Sequence, residues 1–151
     1  MPTVNNALRL QLPDARASIA QLTEQAQRAV LMPMDPGGWS HSFRCAVAAR
    51  IAVLHGEEGL AVQYRDLVTD SGDLDLAAPG SAARNAHERT ILAFIDLMAM
   101  SPREVAAGDV DQLVEAGVKE ADIVRLCELA AYLSYHCRVV AGLALMQEAS
   151  A

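Results

Sequence analysis

Aromatic residues are scarce in this 151-residue chain, at 4% of the sequence, although hydrophobic residues in total reach 52%. A core that is poor in rings and rich in alanine, valine and leucine suits closely packed helices better than a β-sandwich. Basic residues are outnumbered too, because 12 Lys and Arg face 19 Asp and Glu, and the formal net charge is −7. An acidic chain repels phosphate backbones, so we expect no nucleic-acid partner.

Long hydrophobic runs are also missing. The uninterrupted apolar runs are much shorter than the roughly 20 residues that a transmembrane helix requires. Residues 1–9 lack the hydrophobic core of a secretory signal. We therefore expect a cytoplasmic protein without a membrane partner, and the length suits one domain over residues 1–151.

Paired cysteines and clustered histidines, the usual marks of redox and metal sites, are absent from the sequence. The three cysteines are Cys45, Cys127 and Cys137. The four histidines are His41, His55, His87 and His136. No two cysteines form Cys-x-x-Cys, the histidines form neither HxxxH nor HExxH, and the acidic segment 70–80 lacks the spacing of a calcium loop. We expect reduced thiols, no metal and no cofactor.

Hydrophobic periodicity and capping signals predict helices along most of the chain. A first helix is predicted from about Pro13 to Leu31, with an apolar stripe of Ile19, Leu22, Ala26 and Val30. Further helices are predicted over about 41–55, 57–68 and 81–100, with a polar loop over 70–80. A capping box is predicted at 101–104, followed by a short helix ending at Gly117 and a long helix over 119–146. The pattern indicates an all-α bundle.

The long C-terminal helix is apolar on more than one side. Four apolar residues lie off its main stripe: Leu129, Tyr132, Val139 and Leu143. A helix that is hydrophobic nearly all round is covered on both sides. We therefore predict a homo-oligomer, a trimer or hexamer, in which these four residues form the contact between subunits.

Two stretches resemble the carboxymuconolactone decarboxylase and alkylhydroperoxidase D (AhpD-like) family. The first lies within 39–64 and reads SHSFRCAVAARIAVLHGEEGLAVQY. The second, over 109–143, reads DVDQLVEAGVKEADIVRLCELAAYLSYHCRVVAGL and looks like the closing segment of the peroxidase-related branch. Together the likeness extends over most of residues 31–145. It implies an AhpD-like helical bundle and assembly into trimers or larger rings.

The catalytic motif of the redox members is missing from this likeness. Those members carry Arg-Glu, eleven residues, Cys-x-x-Cys, three residues and His. With Arg44 placed on that arginine, the four motif positions fall on Cys45, Glu57, Leu60 and Tyr64. Peroxide reduction needs a thiolate and a resolving thiol within reach. We therefore expect no thiol peroxidase activity of the family's kind.

Four residues are the candidate site: Glu57, Tyr64, Cys45 and His136. Glu57 and Tyr64 are seven apart, and a carboxylate and a phenol could act as base and hydrogen-bond donor; alternatively, Glu57 only caps a helix and Tyr64 only packs. Cys45 could pair with His41, four residues earlier, or be an inert buried thiol.

On the last helix His136 shares a face with Tyr132 and could meet the pocket or a neighbouring subunit, or be a satisfied structural histidine. The resemblance implies that Arg138 is a structural anchor.

We interpret these residues as the site of a small organic ligand. The protein would bind this ligand or convert it by non-thiol chemistry such as decarboxylation or isomerisation. A non-catalytic helical assembly protein is the alternative, and a peroxidase using Cys45 with Cys127 or Cys137 would require those thiols to meet in space. A deep pocket at the four candidate residues would favour conversion, and a collapsed apolar interior would favour the assembly protein.

Overall fold

The computed structural model describes residues 16–149, and within that range the chain forms helices and turns and no strand. The predicted all-α bundle is therefore confirmed. Six α-helices are named here in chain order: α1 Ala17–Leu31, α2 His41–Leu54, α3 Glu58–Arg65, α4 Ala86–Met100, α5 Ala107–Glu115 and α6 Glu120–Glu148. Short 3-10 helices occupy Ser71–Ala77 and Pro102–Glu104.

Local signals placed several helix ends correctly. The Ser40 side chain accepts a hydrogen bond from the Phe43 N–H at 3.0 Å, which satisfies one of the free donors at the start of α2. Gly56 and Gly117 follow the C-terminal ends of α2 and α5 with φ of 78° and 86°. Those values lie in the left-handed region that glycine adopts without a steric penalty.

Other local predictions were wrong. α4 begins at Ala86 rather than near residue 81, because Asn85 supplies the cap and accepts from the Glu88 N–H at 2.8 Å. The predicted loop over 70–80 contains the 3-10 helix Ser71–Ala77. The capping box predicted at 101–104 is a 3-10 turn with no side-chain cap. The predicted first turn at Pro13 lies outside the described residues.

Helix α2 is the centre of the bundle. It contacts α1, α3, α4, α6 and the 3-10 helix at 71–77. Residues 45–49 of α2 are fully buried. Alanine-rich surfaces let neighbouring helices approach closely, so one helix can be enclosed on every side.

The side of helix α1 that faces the bundle is rotated by about one residue, roughly 100°, from the one predicted. Its buried side chains are Thr23, Gln27 and Leu31. Ile19 and Leu22, from the predicted buried stripe, are 45% and 63% exposed. The polar groups are buried because they bond partners in α3 and α6, which the periodicity of α1 alone cannot reveal. An apolar strip therefore remains on the outside of α1.

The predicted subunit contact on α6 needs a correction. Leu129 and Tyr132 are buried within the single chain, at 1% and 8% exposure. The Tyr132 hydroxyl donates to the Thr23 carbonyl at 3.3 Å, so α1 covers the side of α6 that was assigned to a partner. Val139 and Leu143 are half-buried, and Leu145 and Met146 beyond them are exposed.

Helix α6 is long and apolar enough to cross a bilayer by length and composition alone, with a mean hydropathy of 1.3 in its best window. The uninterrupted runs are short, but the helix carries few charges in that window. A core helix of a soluble protein passes the same test, and the N-terminal half of α6 packs in the core. A cytoplasmic location stays a prediction.

Two buried arginines of α2, Arg44 and Arg50, tie loops to this helix. Arg50 forms a paired hydrogen bond with Asp96 of α4, at 2.6 and 2.7 Å, and also donates to the carbonyls of Leu76 and Ala78. This geometry uses the planar fork of the guanidinium group. Arg138, which the resemblance implied to be an anchor, is exposed and forms no hydrogen bond or ion pair within residues 16–149. The anchoring function therefore lies on α2 rather than on α6.

Candidate functional site

A buried tyrosine and a buried histidine meet between α3 and α6. The Tyr64 hydroxyl lies 2.7 Å from Nδ1 of His136, and the two groups share a hydrogen bond. Their side chains are 0% and 1% exposed. The Gln27 amide of α1 donates to the same hydroxyl at 3.4 Å. Two of the four candidate residues are therefore in direct contact.

The helices set the orientation of this pair. Tyr64 is in the last turn of α3, and His136 is in the middle of α6. The two rings meet edge to face at a centroid distance of 6.2 Å. Tyr132, one turn earlier on α6, has its ring centroid 5.6 Å from that of His136. The shared face predicted for Tyr132 and His136 is thus observed, and it is covered by α1.

Burial keeps both members of the pair uncharged. Desolvation lowers the pKa of His136 from its ordinary 6.5 to about 4. Desolvation, followed by the nearby Tyr132 and Cys137, raises the pKa of Tyr64 well above its usual range. At neutral pH the pair is therefore a neutral phenol bonded to a neutral imidazole.

Two thiols lie near enough to Tyr64 to raise the pKa of its hydroxyl, those of Cys45 in α2 and Cys137 in α6. Both cysteines are free and buried. Burial raises the pKa of each to about 11. A thiol needs its ionised form to act as a nucleophile, so neither is activated. His41 does not activate Cys45 either, because its Nε2 bonds the Pro33 carbonyl at 2.9 Å.

Glu57 lies at the edge of this cluster. It is half-buried at the residue before α3, and its side chain makes no capping hydrogen bond. It forms no hydrogen bond with Tyr64 within the described range, so the predicted acid and phenol pair is not in direct contact. Its charge raises the pKa of both His55 and Cys137.

The sequence analysis missed three polar residues of this site: Gln27, His55 and Ser134. Gln27 is on a side of α1 that was predicted to be exposed. His55 and Ser134 lie 3.4 Å apart, between His55 Nε2 and Ser134 Oγ. Burial, followed by the charge of Arg138, lowers the pKa of His55. Their separation of 79 residues leaves no local signal for the contact. Within residues 16–149 no group of three or more His, Cys, Asp or Glu side chains could hold a metal ion.

The buried imidazole has a consequence for acid stability. The unfolded chain binds a proton at His136 near the ordinary pKa of 6.5, whereas the folded chain does so only near 4. This contribution to stability is present above pH 6.5 and is lost as the pH falls towards 4. We expect a loss of about 3 kcal/mol over that window. His136→Gln should flatten this part of a urea-unfolding pH profile, and the exposed His87→Gln should not; equal profiles would contradict the prediction.

Comparisons with known proteins support the fold alone. No protein-family model matches the chain, and no curated protein matches it. A solved structure of an uncharacterized peroxidase-related protein from Silicibacter sp. TM1040 is similar, with a TM-score of 0.65 over 95% of this chain and 90% of that chain. The two sequences are 16% identical over that likeness. The bundle described above is therefore a fold that a peroxidase-related protein also adopts.

Proposed function

We propose that this chain is an AhpD-like protein of the carboxymuconolactone decarboxylase and alkylhydroperoxidase family, forming one domain, that converts a small organic molecule by proton transfer rather than by thiol redox chemistry. The observation that supports this proposal is the 2.7 Å hydrogen bond between Tyr64 and His136. A phenol and an imidazole that are buried together and kept neutral can supply a hydrogen-bond donor to the oxygen of a reacting carbonyl group, while a carboxylate takes up the proton. The candidate reactions are isomerisation and decarboxylation, with Glu57 as the candidate base.

Access to the pair requires movement of α1. This helix bonds Tyr64 through Gln27 at 3.4 Å and the neighbouring Tyr132 and Tyr135 through Thr23 at 3.3 and 3.1 Å. It buries one apolar side chain fully, Leu31. Segments that bury few apolar contacts open at low free-energy cost. We expect the backbone amides of α1 to exchange with deuterium well before those of α2, measured by hydrogen-exchange mass spectrometry. Exchange of α1 as slow as that of α2 would argue against this route.

The function is tested with a panel of cyclic ketones, lactones and β-keto acids in deuterated water. Nuclear magnetic resonance reports exchange of the proton next to the carbonyl group and loss of carbon dioxide. We expect the wild type to accelerate one of these reactions, and Tyr64→Phe and His136→Gln to return it to background. The matched control is His87→Gln, which changes an exposed histidine and should retain the rate. A rate that survives in Tyr64→Phe would exclude the proposed role of the pair.

A second candidate is a helical assembly protein without catalysis. The burial of Tyr64 and His136, at 0% and 1% exposure, favours it, because a closed and satisfied polar pair can be structural alone. No reaction with any member of the panel, together with slow exchange of α1, would favour this candidate.

We also propose a homo-oligomer. The supporting observation is that the C-terminal part of α6 leaves Leu145 exposed and Val139 and Leu143 only half-buried. Contiguous apolar surface of this kind is uncommon on monomers. Light scattering at low micromolar concentration should give a multiple of the 16.1 kDa chain mass. Leu143→Glu should dissociate the assembly, and Gln147→Glu, an equal charge at an exposed position, should not. A monomer mass for the wild type would refute the proposal.

A further inference from the structure

One ring nitrogen of the buried His136 has no partner. Nδ1 bonds Tyr64, and no atom of residues 16–149 forms a hydrogen bond with Nε2. We infer that the Gln27–Tyr64 contact holds His136 as the tautomer that carries its proton on Nε2, and that this N–H binds the acceptor oxygen of a neutral ligand such as a ketone. The ligand part rests on the proposed function, whereas the tautomer part does not.

The two distances at the Tyr64 hydroxyl indicate the direction of its proton. The separation of 2.7 Å from His136 is typical of a hydroxyl donor, since N–H donors lie nearer 2.9–3.0 Å. The separation of 3.4 Å from Gln27 suits a weak amide donor and is too long for a hydroxyl that donates to an amide oxygen. The Tyr64 oxygen therefore accepts from Gln27, and its proton points to His136.

The proton count of the imidazole then places a donor on the other nitrogen. A neutral imidazole carries one proton, and the burial that lowers the pKa of His136 to about 4 keeps it neutral at pH 7. Because Nδ1 accepts from Tyr64, the proton of the ring is on Nε2. No acceptor within residues 16–149 bonds this N–H, so a ligand oxygen at this position would form the hydrogen bond that these residues do not supply.

The surroundings of the pair select a neutral ligand. The side chains that form a hydrogen bond or a ring contact with the Tyr64–His136 pair are Gln27 and Tyr132, and neither carries a charge. Cys45 and Cys137, the thiols nearest Tyr64, are protonated because burial raises the pKa of each to about 11. A carboxylate brought here would lose its water, and Arg138, the cation two residues further along α6, is exposed to solvent and forms no hydrogen bond with the pair. This environment favours isomerisation of a carbonyl compound over decarboxylation of an acid.

The experiment is a long-range ¹H–¹⁵N spectrum of the histidine-labelled full chain at pH 7, with His136→Gln used to assign the ring signals. We expect a protonated Nε2 and an unprotonated Nδ1 for His136 in the wild type. Tyr64→Phe should give averaged signals of both tautomers, because it removes the donor to Nδ1. Tyr135→Phe, the neighbouring and exposed tyrosine, should leave the signals unchanged. A proton found on Nδ1 of His136 in the wild type would contradict the tautomer assigned to this residue.

Binding of a neutral ligand by His136 is tested in the same sample by adding cyclohexanone or cyclohexanecarboxylate. The ketone should shift the Nε2–H signal of His136, and the matched carboxylate should not. An equal shift with the carboxylate contradicts a neutral ligand. A protonated Nε2 that no ketone of the panel shifts counts against the proposed function and leaves the tautomer standing.

Discussion

Replacing Arg44 by leucine is expected to lower the free energy of unfolding by about 3–5 kcal/mol. The guanidinium group donates to three carbonyls, those of Trp39, Val30 and Pro36, at 3.0, 2.8 and 2.8 Å. It is 2% exposed, so a leucine would leave these carbonyls short of donors. The midpoint temperature of thermal unfolding should fall by roughly 10–15 °C.

Two further variants separate this explanation from a general loss of packing. Arg44→Lys keeps the charge but lacks the fork that reaches three carbonyls, so its stability should lie between those of the wild type and Arg44→Leu. Arg89→Leu changes an exposed arginine on α4 and should alter stability by less than about 0.5 kcal/mol. If Arg44→Leu were as stable as Arg89→Leu, the loop between α1 and α2 would not depend on this side chain.

Alkylation of Cys45 and Cys137 is expected to be at least about 100-fold slower than that of a thiol with an ordinary pKa. Burial raises the pKa of both to about 11, against an ordinary value of 9.0, and the thiolate fraction falls in proportion. Cys127 is half-buried and should be labelled first. Peptide mass spectrometry during a time course with iodoacetamide measures all three rates in one sample.

The same physical reason predicts that the chain is not a thiol peroxidase. An organic hydroperoxide with a dithiol reductant should show background turnover only, and Cys45→Ser should not change it. In urea the three cysteines should react at equal rates, which is the control for reagent quality. Rapid labelling of Cys45 in the folded chain, or turnover lost in Cys45→Ser, would show that this thiol is accessible and active.

The candidate site could be predicted in part. Tyr64 came from its place in the family resemblance, and His136 from its position on an apolar helix. Their contact could not be predicted, because they are 72 residues apart and only the packing of both α3 and α6 on α2 brings them together. Glu57 was predicted to share a face with Tyr64, yet it is the residue before α3 and forms no hydrogen bond with the phenol. Gln27 was missed because polar residues on a predicted exposed face carry no signal.

Sequence alone determined the helical class, several helix ends and the absence of a Cys-x-x-Cys pair. These properties depend on contacts within about four residues, as at Ser40 and Gly117, and local chemistry is enough to specify them. Tertiary structure decided which side of α1 faces the bundle and which partners the buried polar groups find. Thr23 and Gln27 are inside because tyrosines of α3 and α6 offer them hydrogen bonds there. That choice weighs contacts between distant segments, and the periodicity of one helix contains no information about them.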